Sequence, residues 1–158
     1  FWQSFFAAVM VAPLFFLLLI IRFNVNGLEF SAIRFLALES IAYVIGWVLF
    51  PLISYYLVQV LEREKQYLGF IVAYNWASVL QNAVYLPFAI LFELGMFGGN
   101  GAELVNLILL CLVLAYTWFV TRTALDVSGF VASGLVVLDV GLWIIVSKLT
   151  EFMLRSPP

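Results

Sequence analysis

Asp139 is a single carboxylate within an apolar run that extends from Phe130 to Val146. The run is about as long as a helix needs to cross a bilayer, which would place the charge near the midplane. An acid at that depth costs about 2.5–3.5 kcal/mol on insertion scales. Because no Lys or Arg is predicted nearby, we expect the carboxyl group to be protonated. Three roles stay open for it: a neutral structural carboxyl, a proton- or cation-handling group, and a contact with a partner subunit.

A polar stripe runs along the third apolar segment of the chain. At 100° per residue, its members fall within one arc of a helix: Asn75, Ser78, Asn82, Tyr85 and Glu93. Facing lipid, the amides would lack hydrogen-bond partners, so we expect the stripe to face protein or water. It is either a set of hydrogen bonds between helices or the lining of a small polar cavity for a solute, a proton or a lipid headgroup. Asn75, Asn82 and Tyr85 are also the expected donors to Asp139.

Three prolines fall inside three consecutive apolar segments, at Pro13, Pro51 and Pro87. Each removes a backbone hydrogen bond and frees a carbonyl one turn earlier. The prolines therefore predict either kinks that shape the packing of the helices or bends that surround a cavity.

Two glycines, Gly134 and Gly141, lie two turns apart on the helical face roughly opposite Asp139. Small residues allow helices in a membrane to approach closely. We therefore expect helix packing within the bundle at Gly134 and Gly141, and a partner on the Asp139 face.

The composition is that of a membrane protein, with 66% hydrophobic and 10% charged residues among 158. Soluble domains have about 25% charged residues. Five segments reach the roughly 20 apolar residues that a spanning helix needs, and their approximate bounds are 1–21, 38–61, 68–94, 103–121 and 129–149. We predict an all-α fold, a single transmembrane domain over 1–158, with five helices and short connections that make successive helices antiparallel neighbours.

Several classes of function are disfavoured by the residues present. No basic stretch could follow a phosphate backbone, so we expect no nucleic-acid partner. The chain has no histidine and a single cysteine, Cys111, which excludes a disulfide within the chain and a thiolate metal cluster. No residue pattern pairs a nucleophile with a base. We therefore expect no enzyme activity, no metal and no cofactor.

One segment resembles a known family: Tyr67-Leu-Gly-Phe-Ile-Val-Ala-Tyr-Asn-Trp-Ala-Ser-Val-Leu-Gln81, followed by Leu86-Pro87. Together with the hydropathy of the chain, it is similar to small bacterial five-helix membrane proteins of the Yip1-domain type. The resemblance implies five helices and a bacterial inner membrane, and it implies no reaction.

These observations predict a non-enzymatic, multi-pass protein of the cell membrane that acts by contact. Its expected partners are the lipid bilayer and other membrane protein subunits, and its expected role is that of an accessory or scaffold subunit of a larger complex. The alternative is a small transporter or channel component that uses the polar face of the third helix and Asp139.

Overall fold

The computed structural model describes residues 2–25, 31–97 and 100–156. Phe1, the first residue of the first predicted span, lies outside them. A short 3-10 helix, Trp2–Phe5, leads into the first of five α-helices. Their bounds are Phe6–Val25 (α1), Ala32–Val60 (α2), Glu64–Glu93 (α3), Asn100–Leu125 (α4) and Gly129–Arg155 (α5).

The described residues form helices and no strand, so the predicted all-α class and the count of five helices are confirmed. Most helices extend a few residues beyond the predicted spans. Among the described residues, four helical segments are long and apolar enough to cross a membrane: Trp2–Val25, Ala32–Val60, Gly101–Leu125 and Gly129–Arg155. The third helix is not one of them, because amide side chains such as Asn75 and Gln81 interrupt its apolar sequence.

Left-handed turns end three of the helices. After α3, Gly95 adopts φ 68°, and the N–H groups of Gly95 and Met96 donate back to Phe92 and Leu91. The same left-handed turn ends α2 at Glu62 (φ 56°) and α4 at Asp126 (φ 51°). This Schellman-type ending satisfies the last carbonyls of a helix and reverses the chain within a few residues. The short connections therefore place α2 and α3, and likewise α4 and α5, antiparallel.

The order of packing differs in part from the expected one. As predicted, α4 packs against its neighbours in sequence, α3 and α5. The first helix, however, packs more extensively on α3 than on α2, and α2 packs mainly on α5. Arg22 and Glu93, near the last turns of α1 and α3, form an ion pair, so these two helices run in the same direction. Arg34, near the start of α2, donates to the Ser156 carbonyl just past the end of α5 at 2.7 Å.

The main apolar cluster lies where α2, α3 and α5 meet, around Phe50, Phe70 and Leu135. The outer faces of the helices are also apolar, with Ile33, Val60 and Phe130 more than four-fifths exposed. A continuous apolar exterior of this kind is what lipid tails cover in a membrane protein.

Candidate functional site

The carboxyl group of Asp139 lies inside the bundle and has a phenol as its partner. The Tyr74 hydroxyl of α3 donates to Asp139 Oδ1 on α5 at 2.8 Å. The Tyr74 ring packs on Phe50 of α2, with 4.7 Å between ring centroids. Asp139 is thus hydrogen-bonded at a junction of three helices, and a hydrogen bond of this kind reduces the cost of a buried polar group.

The donor to Asp139 is none of the three residues expected from the sequence. Of the three expected donors, Asn75 and Asn82 donate elsewhere and Tyr85 lies at the surface, 38% exposed. Tyr74 precedes Asn75 by one residue and therefore points about 100° away from it around the helix. The sequence does contain this donor, because Tyr74 carries a hydroxyl in the same polar segment. It lies outside the arc that contains the amides.

Asn75 is the most deeply buried member of the stripe, with 0% exposure. Its Nδ2 donates to Ser4 Oγ in the 3-10 helix at 2.9 Å. Its Oδ1 has no hydrogen-bond partner among the described residues. An unpaired acceptor at a buried position costs about 1–3 kcal/mol. The donor half of the amide thus joins α3 to the start of the first helix, while the acceptor half is unpaired.

The remaining stripe residues do not gather into one cavity. Ser78 and Asn82 are half-buried and donate to carbonyls one turn earlier on their own helix, Tyr74 and Ser78 respectively. At the end of α3, Glu93 accepts from Arg22 of α1 at 2.8 Å. The stripe therefore contacts the 3-10 helix through Asn75 and α1 through Glu93, while Ser78 and Asn82 bond to their own helix.

Two further contacts of α3 lie outside the predicted stripe. Gln81 Nε2 donates to Thr117 Oγ1 of α4 at 2.9 Å and to the Val113 carbonyl at 3.3 Å. The Tyr67 hydroxyl donates to the Pro51 carbonyl of α2 at 2.7 Å. With Asp139 and Arg22, these contacts give α3 a polar bond to each of the other four helices. Polar side chains in membranes commonly join helices in this way, at about 0.6–2 kcal/mol each.

The three prolines lie within continuous helices but do not share a surface. Pro51 is buried, whereas Pro13 and Pro87 are exposed. Side-chain hydroxyls bond near two of them, since Tyr43 donates to the Ala8 carbonyl at 2.6 Å and Tyr67 to that of Pro51. The three prolines therefore do not surround a common cavity.

The structure corrects the role expected for Gly134 and Gly141. A Cβ added at either glycine would meet no atom within 4 Å, so neither allows a close approach inside the bundle. Gly134 is exposed and Gly141 is half-buried, and both have open space where a Cβ would lie. Asp139, expected to face a partner, thus faces the bundle, and the glycines, expected to pack inside the bundle, do not.

Gly134→Ala and Gly141→Ala should therefore keep the stability of the bundle or raise it by up to about 1 kcal/mol each, because Ala is the better helix former. Titration with sodium dodecyl sulfate in mixed micelles, followed by tryptophan fluorescence, measures this. Gly129→Ala is the matched control, since its Cβ would lie 3.0 Å from Trp118 Cζ2 and should destabilise. Losses at positions 134 and 141 equal to that of the control would contradict the open space at the two glycines.

No protein-family model, curated protein or solved structure matches the chain. The resemblance to Yip1-type domains therefore stays a prediction.

Proposed function

We propose that all five helices cross the membrane and that α3 is the central one. The 30 residues of α3 extend about 45 Å, more than the roughly 30 Å hydrocarbon core of a bilayer. Its amides and hydroxyls bond to other helices or to its own backbone, so a polar sequence is compatible with a position inside the bundle. The bacterial inner membrane is proposed on the resemblance alone.

We further propose that the protein is non-enzymatic and acts by contact, as an accessory or scaffold subunit of a larger membrane complex. The observation that carries this is the use of the intramembrane polar groups. Asp139, Asn75 and Gln81 each bond to a different part of the bundle, through Tyr74, Ser4 and Thr117. Groups that hold helices together in this way stabilise a shape, whereas a transport path needs polar groups that converge on one passage.

The outer surface supports contact with other membrane proteins. Large apolar side chains cover it on every helix, and the middle of α5 presents Gly134 and Gly141 to the outside with open space in front of them. Helices of a partner subunit can approach such a surface closely. The partners proposed are therefore membrane protein subunits, with lipid covering the rest.

Native mass spectrometry after extraction in a mild detergent tests this proposal. We expect the 17.8 kDa chain to be recovered together with other membrane proteins. Gly134→Leu should weaken that association without lowering the stability of the isolated bundle. Gly46→Leu is the matched control, because Gly46 is also a mid-helix glycine with open space around it, on α2. Recovery as a lone monomer from every mild detergent would overturn the contact proposal.

The transport alternative has one observation in its favour, the buried Asn75 Oδ1, which has no hydrogen-bond partner among the described residues. It predicts a pH-dependent flux across proteoliposomes that Asp139→Asn abolishes. The contact proposal predicts no such flux. Measurement of proton uptake with a pH-sensitive dye inside the vesicles separates the two.

A further inference from the structure

A shallow groove lies at the end of α4, where the chain turns into α5. Five residues line it: Phe119, Arg122, Thr123, Asp126 and Val127. Because the connections between α2 and α3 and between α4 and α5 are three residues long, four helix ends lie on this side of the bundle. The charged residues of the α2–α3 connection lie on the same side. The groove is therefore placed where lipid headgroups meet the hydrocarbon core.

Arg122 is held in the groove by an aromatic ring. Its guanidinium carbon lies 5.2 Å from the centroid of the Trp118 ring, one turn earlier on α4. A guanidinium stacked on an aromatic face keeps the N–H donors at its edge free for an anion. Among the described residues, no carboxylate lies within 4 Å of Arg122. The arginine thus presents an uncompensated positive charge.

The position of Trp118 is itself determined by α5. Its indole Nε1 donates to the Gly129 carbonyl at 3.0 Å. A side chain at Gly129 would lie 3.0 Å from the Trp118 ring, so the glycine is what allows the indole to pack there. The aromatic support beneath Arg122 is therefore built from two helices.

The carboxylate in the groove has a cation of its own. Asp126 Oδ2 lies 3.7 Å from Arg63 Nη1, which belongs to the α2–α3 connection. Both side chains are exposed, so this pair contributes little to stability, but it offsets the negative charge of Asp126. Because Asp126 pairs with Arg63, Arg122 is the charged residue lining the groove that has no ion-pair partner among the described residues.

An apolar wall completes the groove below the charge. Phe119 is exposed and, because α4 runs toward this side, lies one turn deeper in the bilayer than Arg122. Thr123, which carries a hydroxyl, lines the groove together with the arginine. A cation and a hydroxyl above an exposed aromatic ring match the order of phosphate and acyl chain in a phospholipid.

We propose that this groove binds the headgroup of an anionic phospholipid. The phosphate accepts hydrogen bonds from the Arg122 guanidinium and the Thr123 hydroxyl, and an acyl chain packs along Phe119. The guanidinium of Arg122, which has no ion-pair partner among the described residues, favours an anionic lipid over a zwitterionic one. This inference requires that α4 crosses the membrane, and it is independent of whether the protein works by contact or by transport.

Native mass spectrometry of the full chain in mild detergent tests the site. The protein is titrated with phosphatidylglycerol or with phosphatidylcholine of the same acyl chains. We expect phosphatidylglycerol to bind more tightly and Arg122→Gln to weaken its binding about fivefold, the effect of roughly one basic residue at an anionic lipid. Asp126→Asn should strengthen it, because a repelling charge is removed.

Arg155→Gln is the matched control, since Arg155 is an exposed arginine at the opposite end of the bundle and pairs with Glu151. It should leave phosphatidylglycerol binding unchanged. Thermal unfolding by circular dichroism verifies that each variant is folded. Equal binding of the two lipids to the wild type, or equal losses in Arg122→Gln and Arg155→Gln, would overturn the proposal.

Discussion

Phe70→Ala is expected to destabilise the bundle by about 3 kcal/mol, the lower end of the range for a buried phenylalanine. Phe70 is 0% exposed and packs in the main cluster against Phe50 and Tyr74, with ring centroids 6.2 and 6.0 Å away. The lower end applies because an unfolded state in detergent or lipid keeps the ring in apolar surroundings, so the loss is mainly one of packing contacts.

The measurement is a titration with sodium dodecyl sulfate in mixed micelles, followed by tryptophan fluorescence. Phe130→Ala is the matched control. Phe130 is 90% exposed at the start of α5, and its removal should change the stability by less than about 0.5 kcal/mol. Similar losses in the two variants would mean that the cluster around Phe70 is not the core of the folded protein.

Asp139→Leu is expected to cost about 1–3 kcal/mol, because the buried Tyr74 hydroxyl would lose its acceptor. Asp139→Asn should be nearly neutral, since the amide oxygen can still accept that hydrogen bond. The effect should appear in the isolated chain, because both groups belong to the bundle itself.

A double-mutant cycle tests the pair directly. Tyr74→Phe removes the hydroxyl, so Asp139→Leu in that background should cost less than it does alone. We expect a coupling free energy of about 0.6–2 kcal/mol, the range for hydrogen bonds between helices in membranes. Tyr43→Phe is the control background, since the Tyr43 hydroxyl bonds to the Ala8 carbonyl, away from Asp139. Additive losses for Tyr74 and Asp139 would show that the hydrogen bond does not contribute.

The face of α5 that carries Asp139 packs inside the bundle, so a substitution at Asp139 tests the stability of the bundle and not a contact with a partner. From the sequence, Asp139 was available to a partner and the glycines to the bundle. In the structure, Asp139 bonds to Tyr74 and the glycines face open space. A loss of partner subunits in Asp139→Leu would therefore follow from a weakened bundle, while Gly134→Leu probes the outer surface itself.

The class and the helices of this protein were predictable because they depend on local properties. Apolar runs long enough to span a bilayer are visible without knowledge of any contact. The left-handed residue that ends α3 is Gly95, and this backbone conformation suits glycine. After α2 the left-handed residue is Glu62, which the residue type does not predict.

The partners of the polar side chains were decided by the tertiary structure. Tyr74 and Asn75 are adjacent in sequence, yet one bonds to α5 and the other to the 3-10 helix before α1, because one residue turns a helix by about 100°. Which helix stands in each direction depends on the packing order, and here α1 lies against α3 and α2 against α5. Hydropathy is nearly uniform around these helices, so it does not predict which helices pack against each other. The sequence alone therefore determined a helical chain whose segments are apolar enough to cross a membrane, with one carboxylate inside such a segment, and only the packing assigned that carboxylate to Tyr74.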